Sequence, residues 1–296
     1  MRMRSWGISV GLAVVAILFP VWDEYAVCQE RGVDGPALFE TVCANCHGKT
    51  GDGQGKAARY VFPRPRNLRH DSFRLVSTLS KKPSNEDIYR AIEVGIPGTS
   101  MKSWKELGKE KIRALVDHVI LIRREGATER IHEELRQEGG VDSEGAEKII
   151  EDYVSKALDA GPRWSGIGNP PELRTSVQRG KKVYLEQKCG SCHGLAGRGS
   201  KGMDLVDQNG QPTWATDLVR GEFHGGRESQ DIAARVYLGM PGSAMPSSSN
   251  LSAEDLSSLV AYCLSISVMP RNNLTNHQRR ERAIGRNALK NNSKSP

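Results

Sequence analysis

Two stretches of the chain carry the same apolar rhythm. Ile112, Leu115, Val116, Val119 and Ile120 fall at i, i+3, i+4, i+7 and i+8, and Leu256, Leu259, Val260, Cys263 and Leu264 repeat those intervals. The spacing puts five apolar side chains on one face of a helix. Ser252 followed by Asp255 has the capping-box pattern at the start of the second stretch. Upstream, Gly35 with Phe39 and Gly180 with Tyr184 stand four apart, so each pair shares a helical face. Between the copies, Ala146, Ile149, Ile150, Tyr153, Val154 and Ala157 keep helical spacing as well. No segment alternates convincingly like a strand. The pattern predicts an all-α fold of two small helical units joined by a partly helical linker.

The N-terminus reads differently. Arg2 and Arg4 precede an apolar stretch from Gly7 to Trp22, broken by Pro20, and Ala26-Val27-Cys28 supplies small residues before a cleavage point. This is the layout of a secretory signal peptide. The apolar run is short for a membrane span of about 20 residues. Residues 1–28 are therefore expected to direct export, with an uncleaved N-terminal anchor as the alternative. Lipoprotein processing at Cys28 is disfavoured by Val27.

The chemistry lies in a repeat. Cys43-Ala44-Asn45-Cys46-His47 and Cys189-Gly190-Ser191-Cys192-His193 start 146 residues apart. Cys-x-x-Cys-His is the attachment spacing for a covalently bound c-type haem: two thioethers tether the porphyrin and the histidine reaches the iron. More matches follow. Gly48-Lys49-Thr50-Gly51-Asp52-Gly53 answers Gly194-Leu195-Ala196-Gly197-Arg198-Gly199, Leu68 and Phe73 answer Leu218 and Phe223, and Asp87-Ile88 answers Asp231-Ile232. Fourteen residues beyond each Asp stands a methionine, in Gly95-Ile96-Pro97-Gly98-Thr99-Ser100-Met101 and in Gly239-Met240-Pro241-Gly242-Ser243-Ala244-Met245. His47 and His193 are expected as proximal iron ligands, Met101 and Met245 as distal ones. A thioether opposite an imidazole fills both axial positions and favours reduced iron. Met240 corresponds to Ile96 and reads as apolar packing, while Met203 and Met269 have no counterparts.

Other residues take plainer readings. His118 aligns with Tyr262 and is expected in solvent, Cys263 as a buried thiol, Trp104 beside the first haem. His70, His132 and His224 lack repeat partners. His224 has Arg74 as its counterpart and is expected at the surface.

Composition adds two points. Of 296 residues only 38% are hydrophobic and 6% aromatic, and a bound macrocycle would add apolar bulk to each core. The net charge of +7 sits mostly in residues 268–296, where seven arginines and lysines face the single Glu281, a net of +6. A solvated terminus is the plain reading of this tail, and contact with an anionic membrane surface or an acidic protein face the sharper one. Nucleic acid is not an expected partner of an exported haem protein.

With these motifs in place, both halves resemble class I cytochrome c domains of the bacterial mono- and dihaem type. The resemblance covers about 34–124 and 176–267, with 125–175 as linker. It implies terminal helices crossing over each haem, and single-electron transfer in the periplasm between a donor and an acceptor such as an oxidase, a dehydrogenase or a quinol-oxidising complex. Two departures stand out. Lys102 occupies a position where such domains commonly have proline, kept as Pro246 in the second copy, and Tyr184 precedes Cys189 by five residues where Phe39 precedes Cys43 by four. The competing reading is a dihaem cytochrome c peroxidase, which needs one iron open to peroxide.

Overall fold

The computed structural model describes residues 32–137, 146–167, 173–199 and 205–267. The expected signal segment, the basic tail, Met203 and Met269 lie outside them. The first half opens with α1 (Gly35–Val42), α2 (Ala44–His47), α3 (Asn85–Val94) and α4 (Gly108–Gln137), and α5 (Ala146–Leu158) follows. The second half repeats the series as α6 (Leu173–Glu186), α7 (Cys189–His193), α8 (Ser229–Leu238) and α9 (Ala253–Ile266). No helix among the described residues is long and apolar enough to cross a membrane.

Helix starts follow the local chemistry. The Asp34 carboxylate accepts from the Ala37 N–H at 3.0 Å and caps α1. Ser84 and Asp87 close a reciprocal capping box on α3, Glu228 and Asp231 another on α8, and Ser252 caps α9 through the Asp255 N–H.

Each half is organised by one helix crossing. Where α1 meets α4, a β-carbon on Gly35 would lie 2.4 Å from the Ala114 carbonyl oxygen. Where α6 meets α9, a β-carbon on Gly180 would lie 1.9 Å from that of Ser258. Only glycine lets the backbones approach this closely. One turn on from each glycine an aromatic ring seals the crossing. Phe39 meets the His118 ring edge-on at 5.0 Å, and Tyr184 meets Tyr262 at 5.3 Å. His118 is thus half-buried against Phe39 instead of solvated, because its position on α4 faces α1. Behind the crossings lie two cores, one with Phe39, Ile88, Ile92, Ile112 and Leu115, the other with Tyr184, Ile232, Leu256, Leu259 and Cys263.

α4 does not stop near residue 124. It runs for 30 residues to Gln137, and its second half carries Ala127 and Ile131 onto Ile150 and Val154 of α5. The apolar stripe continues past the first core, so the linker packs as a helical hairpin with its own small core. A short hairpin also appears, with β1 (Leu205–Val206) paired antiparallel to β2 (Pro212–Thr213) around Gly210. Two-residue strands are too short to leave an alternation in sequence.

The two halves are tied together. The linker end lies along the first half: the Leu79 N–H donates to the Pro162 carbonyl at 3.0 Å and the Trp164 N–H to the Ser77 carbonyl at 2.8 Å. It then grips the second half, with Trp164 stacked on Tyr237 at 5.0 Å and the Ile167 N–H donating to Gln230 at 3.0 Å. Direct bonds reinforce it. Arg74 pairs with Asp207 at 3.2 Å, Arg90 with Asp231 at 2.6 Å, and Asp71 accepts from Gln208 at 2.8 Å and Asn209 at 3.0 Å. Phe62 stacks on Trp214 at 5.0 Å.

Candidate functional site

The predicted residues gather around two cavities, one in each half. The first is lined by Cys43, Cys46, His47, Met101 and Trp104 among largely apolar neighbours. The second is lined by Cys189, His193 and Met245 with Tyr184, Phe223 and Leu259. In both, the attachment motif and the methionine come from opposite ends of the domain sequence and meet on one cavity. Cys192 sits on α7 beside them, half-buried.

Both attachment helices are held alike. α2 follows α1 almost directly, with Cys43 in helical geometry between them. The second half has one extra residue here, and Lys188 absorbs it by adopting φ 55, a left-handed conformation. The longer spacing from Tyr184 is thereby taken up before α7 begins, and the Tyr184 hydroxyl donates to the Gly194 carbonyl at 2.6 Å. After each motif the chain closes the same loop: the Gly53 N–H donates to the His47 carbonyl at 2.7 Å, the Gly199 N–H to the His193 carbonyl at 2.6 Å.

The histidines are oriented through one ring nitrogen. Nδ1 of His47 lies 3.0 Å from the Arg66 carbonyl oxygen, and Nδ1 of His193 lies 2.9 Å from that of Thr216. A carbonyl accepts only from N–H, so the proton sits on Nδ1 and Nε2 keeps its lone pair, the arrangement of a ligating imidazole. Burial pushes both histidines below their usual pKa and so favours the neutral form. Burial also raises the thiols, Cys43 to about 11, with Cys46 and Cys189 shifted in the same direction.

The methionine loops share one hydrogen-bond pattern. The Ile96 N–H donates to the Met101 carbonyl at 2.9 Å, and the Met240 N–H to the Met245 carbonyl at 3.2 Å. The Thr99 hydroxyl donates to the Ile96 carbonyl at 2.8 Å and accepts from the Met101 N–H at 3.1 Å, and Ser243 does the same with Met240 and Met245 at 2.7 and 3.2 Å. Gly95 and Gly239 open the loops at φ 73, and a β-carbon on either would strike the backbone at and just after the methionine. Lys102 leaves the first loop intact. Its ammonium lies 4.0 Å from the centre of the Trp104 ring, a cation–π contact on the cavity wall. The donor set, the apolar walls and the paired thiols at each cavity fit a covalently held haem.

His118 is not the sole departure from expectation. His224, expected at the surface, is half-buried and lines both cavities. Its missing repeat partner hid this role, because the position has meaning only where the halves meet. Cys263 is buried as expected, and its thiol is pushed up to about 12.

Residues 177–267 match the family model of cytochrome c, and residues 30–119 match that of cytochrome c oxidase, cbb3-type, subunit III. No match was found among curated proteins. Among solved structures, the chain is similar to a chain of the Kuenenia stuttgartiensis reducing HAO-like protein complex, at 27% identity and a TM-score of 0.61, covering 79% of this chain and 96% of that one. The two domains carry two covalently bound haem c groups and make this a haem electron-transfer protein. With one cytochrome c-type domain in each half, the chain is a dihaem class I cytochrome c.

Proposed function

We propose that the chain passes single electrons between two redox proteins outside the cytoplasm, with both irons closed to substrate. Cys43 and Cys46 would anchor the first haem and Cys189 and Cys192 the second, while His47 with Met101 and His193 with Met245 would hold the two irons. When bound, each haem supplies a one-electron iron couple. The chain's own residues do the rest. Arg66 and Thr216 carbonyls hold the imidazoles neutral and aimed, Thr99 and Ser243 fix the methionine loops, and the apolar cavity walls exclude water and raise the potential.

The observation that carries this reading is the duplicated methionine loop, in which Thr99 and Ser243 make the same two bonds and the Ile96 and Met240 N–H groups donate to the methionine carbonyls. A peroxidase would need one of the two irons left open, and a methionine loop of the same bonding pattern on each cavity supports the closed reading for both. A protein partner is supported by the similar chain in the Kuenenia complex, which is part of a protein assembly. Export is supported by the N-terminal sequence pattern and by the covalent attachment motifs. The test is spectroscopic. The purified holoprotein is expected to carry two haems by mass, to bind no carbon monoxide when reduced and to leave hydrogen peroxide unconsumed. Carbon monoxide bound at one haem, or peroxide turnover, rejects the carrier.

A further inference from the structure

The cavities do not divide cleanly between the halves. Among the described residues, every one lining the second cavity belongs to the second half, from Tyr184 to Cys263. The first cavity takes two of its lining residues from that same half, His224 and Met240, and both also line the second. Their repeat counterparts, Arg74 and Ile96, line the first cavity alone. The sharing therefore runs one way.

Both residues are held in place. Met240 is buried, and its backbone is fixed by the loop bonds to Met245 and Ser243. His224 abuts the first methionine loop, where a β-carbon on Gly98 would stand 3.4 Å from its Nε2. Behind them Arg235, also on the second cavity, bonds the Arg74 and Val76 carbonyls of the first half. The wall is thus a permanent part of the fold, not a chance contact of two tethered beads.

We infer that His224 and Met240 are working parts of both haem sites. The second half completes the first haem's pocket, and the polarity of one shared wall sets both potentials. This rests on the two-haem reading above. A polar group in an apolar wall stabilises the more highly charged ferric form and lowers the potential.

The experiment is a redox titration of the holoprotein and its variants, after haem counting. Met240→Gln is expected to shift both midpoints downward, Ile96→Gln only that of the first haem, and Met240→Leu neither by much, since it keeps volume and polarity. Should Met240→Gln fail to take up haem, His224→Leu is the second probe, expected to shift both midpoints upward. The shared wall is rejected if Met240→Gln or His224→Leu moves a single midpoint or none. It is also rejected if Ile96→Gln moves both, which would mean that the haems influence each other directly. A parent protein without two haems would instead reject the underlying reading.

Discussion

The Arg235 guanidinium donates to the Arg74 carbonyl at 2.8 Å and, through its other amino group, to the Val76 carbonyl. One side chain on α8 thus clamps a strip of the first half whose own Arg74 reaches back to Asp207. Burial holds the Arg235 pKa down to about 10, with Asp87 and Asp231 opposing the shift. The group remains charged at neutral pH.

Arg235→Leu removes two charge-assisted bonds and leaves two buried carbonyls without a donor. Each such bond is worth roughly 1.5–3 kcal/mol. The variant is expected to unfold at lower denaturant concentration than the parent. It should also lose the single cooperative transition, the halves melting separately when each Soret band is followed. A parental midpoint would show that the clamp is ornamental to stability.

Met101→Ala and Met245→Ala are expected each to lower the potential of one haem and to leave the other nearly intact, because each thioether faces one cavity only. Spectroelectrochemistry reads this directly. Unchanged potentials in either variant would overturn that ligand. The unequal surroundings, Lys102 and Trp104 on the first cavity and neither in the second, further predict two distinct midpoints in the parent.

Gly180→Ala would set a methyl group 1.9 Å from the Ser258 carbonyl oxygen. α6 and α9 must then separate, at a cost of about 1–3 kcal/mol for overpacking. A lower melting temperature of the holoprotein is the expected result. Gly35→Ala, 2.4 Å from the Ala114 carbonyl oxygen, should act likewise in the first half.

The α6–α9 crossing also carries a surface pair, Arg179 with Asp255 at 2.8 Å. The Arg179 hydrogen bond, helped by Ser252, holds the Asp255 carboxyl below its ordinary 3.8. A carboxylate lowered on folding stabilises the fold above its unfolded pKa, and that contribution fades as the pH falls through the folded value. Asp255→Asn is expected to cost under about 1 kcal/mol at neutral pH, because the pair is largely in solvent. Urea titrations of parent and variant should converge well below pH 3.8. A gap that persists in acid would assign the effect to the helix cap instead.

What the sequence disclosed follows from periodicity and duplication. The glycine–aromatic pairs at Gly35 and Gly180, the stripes of α4 and α9, both attachment motifs and both methionines repeat, and each copy checks the other. Apart from His118 against Phe39, the contacts that escaped notice are those that cross from one half to the other. Arg74 with Asp207, Arg90 with Asp231, and His224 against Gly98 follow no period and have no echo, since an interface between two repeats cannot itself be repeated. The extension of α4 escaped for another reason: its apolar stripe past residue 124 is answered only by α5, which a local pattern does not identify as its partner.

α4 has a mechanical consequence. At 30 residues it is a strut about 45 Å long, with the Gly35 pivot near one end and the α5 brace at the other. A protein that grips α5 would therefore hold a lever arm on the α1–α4 crossing.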